Sequence, residues 1–94
     1  MKVRVEYTGQ LRKAIGRPND CVELSDDATA SDLLKHLATT CAEHIRPHLV
    51  NSAGQFQPSL LVAINDTAYM SRQLDSAVLC DGDSVVLLPP IGGG

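Results

Sequence analysis

The sequence is poor in aromatic residues and contains no tryptophan. Aromatic side chains make up 3% of its 94 residues, and they are Tyr7, Phe56 and Tyr69. A nucleic-acid-binding surface normally combines a basic face with aromatic rings on which bases stack. Rings so few and so widely spaced disfavour that class of protein, and we expect no nucleic-acid partner.

Long apolar runs are also absent. No segment approaches the roughly 18 consecutive apolar residues that a membrane-spanning helix requires. Residues 1–8 alternate charged and apolar side chains, which predicts a strand and differs from the apolar run of a secretion signal. With 44% hydrophobic residues, the chain is too apolar for a disordered protein. We therefore expect a soluble, cytoplasmic, globular protein with no membrane partner.

The chain has three cysteines, Cys21, Cys41 and Cys80. An odd number at wide spacing, without a paired motif, is a poor basis for a disulfide framework, so reduced thiols are expected.

One group of residues resembles a metal site. Cys41 is followed by His44 and His48 and preceded by His36, and thiolates and imidazoles at such spacings can bind zinc. Pro47 interrupts the helix on which the spacing depends, and no second cluster completes a ligand set. A core cysteine and surface histidines are the simpler interpretation, and we expect no metal site.

The length of the chain limits its chemistry. A domain of this size buries only about 60 to 65% of the surface of its unfolded chain, which leaves no room for a large cofactor beside the core. We expect no bound cofactor and no self-contained enzyme. No nucleophile elbow or phosphate-binding glycine loop is present. Asp81 and Asp83 flank a glycine and predict a turn in preference to an acid–base pair.

Charge is distributed unevenly along the chain. Residues 1–17 contain five basic side chains and one acidic side chain, whereas the remaining residues contain three basic and ten acidic ones. An acidic surface suits a basic protein partner, although solvated charge that maintains solubility explains the pattern more simply.

The hydrophobic pattern predicts one domain of the α+β class, with a single main helix packed on a sheet. Thr29 and Asp32 form a helix-start signature, and the apolar spacing that follows predicts a helix over residues 30–43. Residues 10–15 predict a short helical turn, residues 51–58 one long loop, and residues 59–64 a strand covered on both faces. The other predicted strands are residues 2–8, 21–24, 68–70 and 84–88. The first and last strands are expected to lie centrally.

The sequence ends with two prolines, one isoleucine and three glycines, which are Pro89, Pro90, Ile91, Gly92, Gly93 and Gly94. Two explanations compete. Chain ends are commonly frayed, which requires no function. Alternatively, residues without a Cβ let the backbone enter a narrow channel on a partner and deliver the terminal carboxylate to a buried site. The two prolines would then stiffen the exit from the last strand.

Residues 81–94, Asp-Gly-Asp-Ser-Val-Val-Leu-Leu-Pro-Pro-Ile-Gly-Gly-Gly, closely resemble the end of the ubiquitin-like sulfur carriers of the MoaD/ThiS family, especially the molybdopterin synthase small subunit. Residues 62–65 and 8–12 and the Thr29-capped helix extend the resemblance over essentially the whole chain. The resemblance implies a ubiquitin-like β-grasp with one main helix on a mixed sheet of four to five strands, over residues 1–88. Residues 89–94 would form a flexible tail.

The same resemblance implies a function. An ATP-consuming enzyme of the ubiquitin-activating type would adenylate the Gly94 carboxylate, and a sulfur donor would convert it to a thiocarboxylate. The sulfur would then pass to a pterin precursor on the molybdopterin synthase large subunit, with the catalytic side chains on the partners. The length of the 51–58 loop resembles carriers for cysteine biosynthesis, and the Ile91 and glycine end resembles the thiamine carrier. Pro89 and Pro90 favour the molybdopterin branch, and conjugation to partner lysines through Gly94 is a further alternative.

Family members also dock through an apolar patch on the sheet. The corresponding positions here are Thr8, Ala68 and Leu88, where smaller side chains replace the aromatic residues of the family. Leu88 keeps the pattern best, although a core-facing position for Leu88 is nearly as consistent with the consecutive apolar residues around it. Residues of the tail are expected to bind partners together with these positions, and they are Pro89, Pro90, Ile91, Gly92 and Gly93.

Overall fold

A computed structural model describes residues 1–40, 46–51, 53, 55–58 and 60–88. Within these residues the chain forms five strands, three α-helices and one 3₁₀ helix. In chain order they are β1 (Lys2–Tyr7), α1 (Gly9–Ile15), β2 (Asn19–Glu23), α2 (Ala30–Thr40), α3 (Arg46–Leu49), β3 (Leu61–Ile64), β4 (Thr67–Met70), the 3₁₀ helix (Ser71–Ser76) and β5 (Ser84–Leu88). The predicted order of the strands, the short first helix and the main helix is confirmed, and α3 and the 3₁₀ helix are additional elements.

The strands form one mixed sheet in the order β2-β1-β5-β3-β4. The first and last strands pair in parallel at its centre, with Val5 beside Val85, and the other pairs are antiparallel. The predicted central position of these two strands is therefore confirmed. A parallel pair requires a crossover between its strands, and that connection carries the helices to one face of the sheet.

The core lies between that face and α2. Alternate residues of β1 point inward, so Val3, Val5 and Tyr7 are buried, and the opposite residues of the strand are more exposed. From α2, Leu33, Leu34 and Leu37 close the core at helical spacing, as the sequence predicts.

A reciprocal cap begins α2. The backbone N–H of Thr29 donates to Asp32 Oδ2 at 2.9 Å, and the N–H of Asp32 donates to Thr29 Oγ1 at 3.2 Å. The first of these bonds is the main reason that the pKa of the Asp32 carboxyl lies below its usual value. The predicted cap is confirmed. The predicted end of the helix, at residue 43, lies outside the described residues.

Two turns lie at the end of the sheet where β5 begins. Asn65 and Asp66 join β3 to β4 with φ of 47° and 76°, values typical of a tight hairpin turn. Asp81 Oδ1 accepts from the N–H of Lys2 at 2.7 Å, and Asp83 Oδ2 accepts from the N–H of Cys80 at 2.8 Å. Both aspartates therefore stabilise a turn, as the sequence predicts.

Several local predictions need correction. β2 begins at Asn19, two residues before the predicted start. Pro47 is the second residue of α3, where the missing N–H costs nothing. The segment between α2 and α3 lies outside the described residues, so the interruption of the main helix at Pro47 stays a prediction. Residues 71–76 form a 3₁₀ helix that the sequence pattern did not indicate. Within the predicted 51–58 loop, which contains no helix or strand in its described residues, Phe56 forms an isolated β-bridge with Val50.

The prediction that residues 59–64 form a strand covered on both faces is wrong. β3 begins at Leu61, and Leu61 is 40% exposed whereas Val62 is fully buried. The helices cover only one face of the sheet, so a continuous apolar run leaves every second side chain on the open face.

Candidate functional site

The open face of the sheet carries an apolar patch beside the end of β5. Leu61 stands between Leu88 and Met70 in one row across three strands. In the next row, Ala63 stands between Val86 and Ala68. We call these six residues the sheet patch. Leu61 and Met70 are its most prominent members, because their exposed fractions reach 40% and 44%.

The placement of Leu88 decides between its two interpretations. Burial alternates along β5, with Val85 and Leu87 fully buried and Val86 and Leu88 partly exposed. The side chain of Leu88 therefore lies on the open face, within the sheet patch. Leu87, and not Leu88, faces the core. Leu88 is also the last described residue, so the chain continues into Pro89 from the edge of the sheet patch.

Ala68 and Thr8 have different surroundings. Ala68 is exposed on β4 and belongs to the sheet patch. The hydroxyl of Thr8 donates to the backbone carbonyl of Leu87 at 2.8 Å, and Thr8 is only partly exposed. This bond ties the residue after β1 to the end of β5. The side chain of Thr8 thus positions the end of β5, and its polar atom is already engaged within the fold.

The other half of the open face is charged. Lys2 lies 3.8 Å from Glu23, and Arg4 lies 3.4 Å from Glu6, measured between nitrogen and oxygen. All four side chains are well exposed, so these pairs add little to stability. They give the open face a polar half on β1 and β2 and an apolar half on β5, β3 and β4.

Sequence reasoning missed Leu61, Ala63, Met70 and Val86 as members of the sheet patch. The signal was present in part, because a strand with only one covered face exposes every second residue. The consecutive apolar residues of 60–64 hid that alternation. The position of Met70 depends on strand register, which pairs it with Leu61.

The predicted tail lies outside the described residues. Six of the predicted site residues belong to it, and they are Pro89, Pro90, Ile91, Gly92, Gly93 and Gly94. Their roles in binding partners, and the role of Gly94 as the reacting residue, therefore stay predictions. The described structure places only the point from which they leave the sheet, which is Leu88.

The remaining candidate residues are not brought together into a site. Cys21 and Cys80 are free and exposed. Of the predicted metal-like group, Cys41 and His44 lie outside the described residues. Across residues 1–40 and the later described ranges, no three His, Cys, Asp or Glu side chains are grouped to hold a metal ion. In the same part of the chain, no helix is long and apolar enough to span a membrane.

The fold defines the class of protein. One main helix packed across a mixed five-stranded sheet, with its first and last strands parallel at the centre, is the ubiquitin-like β-grasp. The crystal structure of small archaeal modifier protein 1 from Haloferax volcanii has the same fold. It matches with a TM-score of 0.82 over 96% of this chain and 98% of that chain, at 21% identity.

The chain belongs to the ThiS family, whose model matches residues 5–94. It is 31% identical to the molybdopterin synthase sulfur carrier subunit of Chlamydomonas reinhardtii, over the whole of both chains. It is 26% identical to small archaeal modifier protein 3 of Haloferax volcanii, again over the whole of both. A chain in the solved complex of subunits 1 and 2 of molybdopterin-converting factor from Helicobacter pylori matches over the full length of both, with a TM-score of 0.61 and 26% identity. The resemblance to the MoaD/ThiS sulfur carriers is confirmed.

Proposed function

We propose that this protein is a sulfur carrier whose terminal carboxylate, on Gly94, is converted to a thiocarboxylate for molybdopterin biosynthesis. The observation that carries the proposal is the position of the sheet patch, which adjoins Leu88 where the chain leaves β5 for the glycine-rich end. A partner that covers the sheet patch would receive residues 89–94 directly. The family match also extends through Gly94.

The chemistry proceeds in two displacements. The Gly94 carboxylate attacks the α-phosphate of ATP, with loss of pyrophosphate, and becomes an acyl adenylate with AMP as a good leaving group. A donor of hydrosulfide (HS⁻) then attacks the acyl carbon through its sulfur and displaces AMP, and loss of the sulfur-bound proton leaves the thiocarboxylate. The terminal sulfur is a better nucleophile than the oxygen that it replaces. This chain supplies the reacting group, and the partners supply the catalytic side chains.

Three partners follow from the proposal. They are an adenylating enzyme of the ubiquitin-activating type, a sulfur donor and a sulfur-accepting subunit. The named relative from Chlamydomonas is a subunit of molybdopterin synthase, and the Helicobacter complex joins two subunits. We therefore propose the large subunit of molybdopterin synthase as the acceptor. Gly92, Gly93 and Gly94 would let the backbone enter its active site, since they lack a Cβ.

The intact mass of the protein tests the proposal. The purified chain is incubated with ATP, the adenylating enzyme and a sulfur donor, and the expected product carries one sulfur in place of one oxygen at Gly94. A reaction without ATP and a variant with one alanine added after Gly94 are the controls, and both should stay unmodified. An unchanged mass in the complete reaction would refute the proposal. The pathway is then identified by which acceptor takes the sulfur from the product: a pterin precursor, a thiazole-forming enzyme or a cysteine synthase.

A second candidate function is protein modification. The 26% identity to an archaeal modifier protein favours it, because the same activated Gly94 could be attacked by a lysine amine of another protein. Cell lysates should then contain conjugates of higher mass that carry the Gly94 carbonyl in an isopeptide bond. Peptide mass spectrometry detects this bond. If it finds none under conditions that produce thiocarboxylate, protein modification is excluded and the carrier function is unaffected.

A further inference from the structure

The hydroxyl of Thr8 occupies a place that a backbone donor fills elsewhere in the sheet. At the start of the parallel pair of β1 and β5, the N–H of Arg4 donates to the carbonyl of Asp83 at 2.9 Å. Bonds in a parallel ladder are evenly spaced, so the same repeat brings position 8 to the carbonyl of Leu87 at the other end of the pair. The donor found there is the side-chain hydroxyl of Thr8, at 2.8 Å.

Thr8 also has a local use for its hydroxyl. It precedes α1 in the N-cap position, where a threonine oxygen usually accepts from an N–H of the first helical turn. Within the described residues, however, the side chain of Thr8 makes no such bond to α1. The bond that it makes instead reaches a strand at the far end of the chain.

This bond fixes the peptide group from which the chain leaves the sheet. The side chain of Leu87 is fully buried, and its carbonyl is held from β1 by Thr8. The next residue, Leu88, pairs on its other side with Leu61 of β3. The carbonyl of one residue and the N–H of the next lie in a single plane. The peptide group between Leu87 and Leu88 is therefore held from both neighbouring strands.

The residues after Leu88 make the orientation of this group important. Pro89 and Pro90 have no N–H with which to extend the ladder, and their rings restrict the backbone φ. A rotation of the peptide group that precedes such a restricted pair displaces every later atom of the chain. The direction in which residues 89–94 leave the sheet therefore depends on the bond between Thr8 and Leu87.

We propose that Thr8 is a positioning residue for the reaction at Gly94. Its hydroxyl orients the end of β5, and the terminal carboxylate consequently reaches the α-phosphate of ATP when a partner covers the sheet patch. Orientation of a reacting group lowers the barrier of the chemical step. The proposal rests on the sulfur-carrier function proposed above. It differs from the docking role expected for Thr8 from the sequence, because the hydroxyl acts through Leu87 and not on the partner.

The kinetics of the adenylating enzyme separate positioning from docking. The full-length carrier is the varied substrate at saturating ATP, and release of pyrophosphate reports the attack of the Gly94 carboxylate. Thr8→Val keeps nearly the same shape without the hydroxyl. It should lower kcat about fivefold, as expected for the loss of one neutral hydrogen bond, with KM changed less than about twofold. Thr8→Ser keeps the hydroxyl and should restore kcat.

The ¹⁵N order parameter of Leu88 provides a second readout that requires no partner. It should fall in Thr8→Val, because the peptide group is then released on one side, and it should keep the wild-type value in Thr8→Ser. Thr40→Val is the matched control, since the Thr40 hydroxyl donates to the carbonyl of His36 at 2.8 Å on α2, away from the end of β5. Circular dichroism at the assay temperature verifies that each variant is folded.

The outcomes distinguish this proposal from the one on which it rests. If the wild type reacts, an unchanged kcat in Thr8→Val, a change in KM alone, or an equal loss of kcat in Thr40→Val would overturn the positioning role while the carrier function stands. If the wild type releases no pyrophosphate, the carrier function is refuted and the role of Thr8 with it.

Discussion

Leu61 of β3 lies directly opposite Met70 of β4, and both side chains point into solvent with exposed fractions of 40% and 44%. Large apolar side chains grouped on an open sheet face are a feature of interaction surfaces. The pair lies in the row that ends at Leu88, where the chain leaves the sheet. A partner that covered this pair would therefore also meet the residues after Leu88.

Charged substitutions test that relationship. Leu61→Lys and Met70→Lys should each weaken binding to the proposed acceptor, the large subunit of molybdopterin synthase, about tenfold or more, because a lysine would be desolvated in the interface. Binding is measured by isothermal titration calorimetry. Stability should change little, since both positions are exposed.

Val78→Lys is the matched control for the charged variants. Val78 is 60% exposed but lies outside the sheet patch, so this change adds the same charge without altering the patch. Its affinity should equal that of the wild type. Equal losses in all three variants would show that added charge, and not the sheet patch, governs the binding.

Gly93 tests the proposed entry of the chain end into a narrow channel. Gly93→Ala adds a methyl group next to the reacting residue and should lower the yield of thiocarboxylate about tenfold or more, because the terminal carboxylate would be displaced from the reacting position. Gly92→Ala places the same group one residue farther away and should lower the yield less. Intact-mass spectrometry measures the yield.

The melting temperature is the control for both glycine variants. It should match that of the wild type, since the buried core described here extends from Val3 to Leu87 and both glycines follow it. A wild-type yield from Gly93→Ala would argue against a channel that admits only residues without a Cβ.

Two leucine truncations separate core from surface. Leu37 is 3% exposed and Leu37→Ala should lower the free energy of unfolding by about 2 to 5 kcal/mol, because it opens a cavity between α2 and the sheet. The identical change at Leu61 should cost about 1 kcal/mol or less. Urea unfolding monitored by circular dichroism measures both. Equal costs would contradict the burial of α2 against the sheet.

The hydrogen bonds of Asp20 should make the stability of the fold depend on pH. Its carboxylate accepts hydrogen bonds from Arg17 Nε at 2.7 Å and from the Tyr7 hydroxyl at 2.8 Å. The bond from Arg17 is the main cause that lowers the pKa of Asp20, against the opposing effect of burial, and the Tyr7 bond lowers it further. Arg17→Gln should therefore raise this pKa more than Tyr7→Phe does. NMR titration of the Asp20 carboxyl carbon measures this pKa in the wild type and in both variants.

The sign of the stability effect follows from that lowered pKa. A carboxyl that binds its proton less tightly when folded contributes stability above its unfolded pKa of about 3.9, and loses it as pH falls through the folded value. The difference in unfolding free energy between wild type and Asp20→Asn should thus be constant near neutral pH and shrink below about pH 4. A difference that grew on acidification would contradict the assignment.

Asn65 links the two turns at one end of the sheet. Its Nδ2 donates to Asp83 Oδ1 at 2.8 Å, and its Oδ1 accepts from the N–H of Ser84 at 3.0 Å. Asn65→Ala removes both bonds and leaves a residue that tolerates the φ of 47° less well than asparagine, so it should cost about 2 kcal/mol. Asn65→Gly loses the bonds but accepts the φ, and its cost should be smaller. Thermal and urea unfolding compare the two, and a larger cost for glycine would disprove the role of the backbone.

The sequence predicted those elements whose local signals agree. β1 has clear alternation, and α2 has both a reciprocal cap and a helical stripe, so both were correctly placed. The 3₁₀ helix was missed because six residues of mixed polarity carry no distinct period.

The sequence by itself determined the class of protein. Its small size and binary pattern predicted a one-helix α+β domain, and the resemblance of its Asp-Gly-Asp and glycine-rich segment to the MoaD/ThiS carriers identified the family. Only the tertiary structure decided which side chains share a surface. The sheet patch needs the register that aligns Leu88, Leu61 and Met70. Register and packing are set by contacts between residues distant in the chain, and a linear pattern does not contain them.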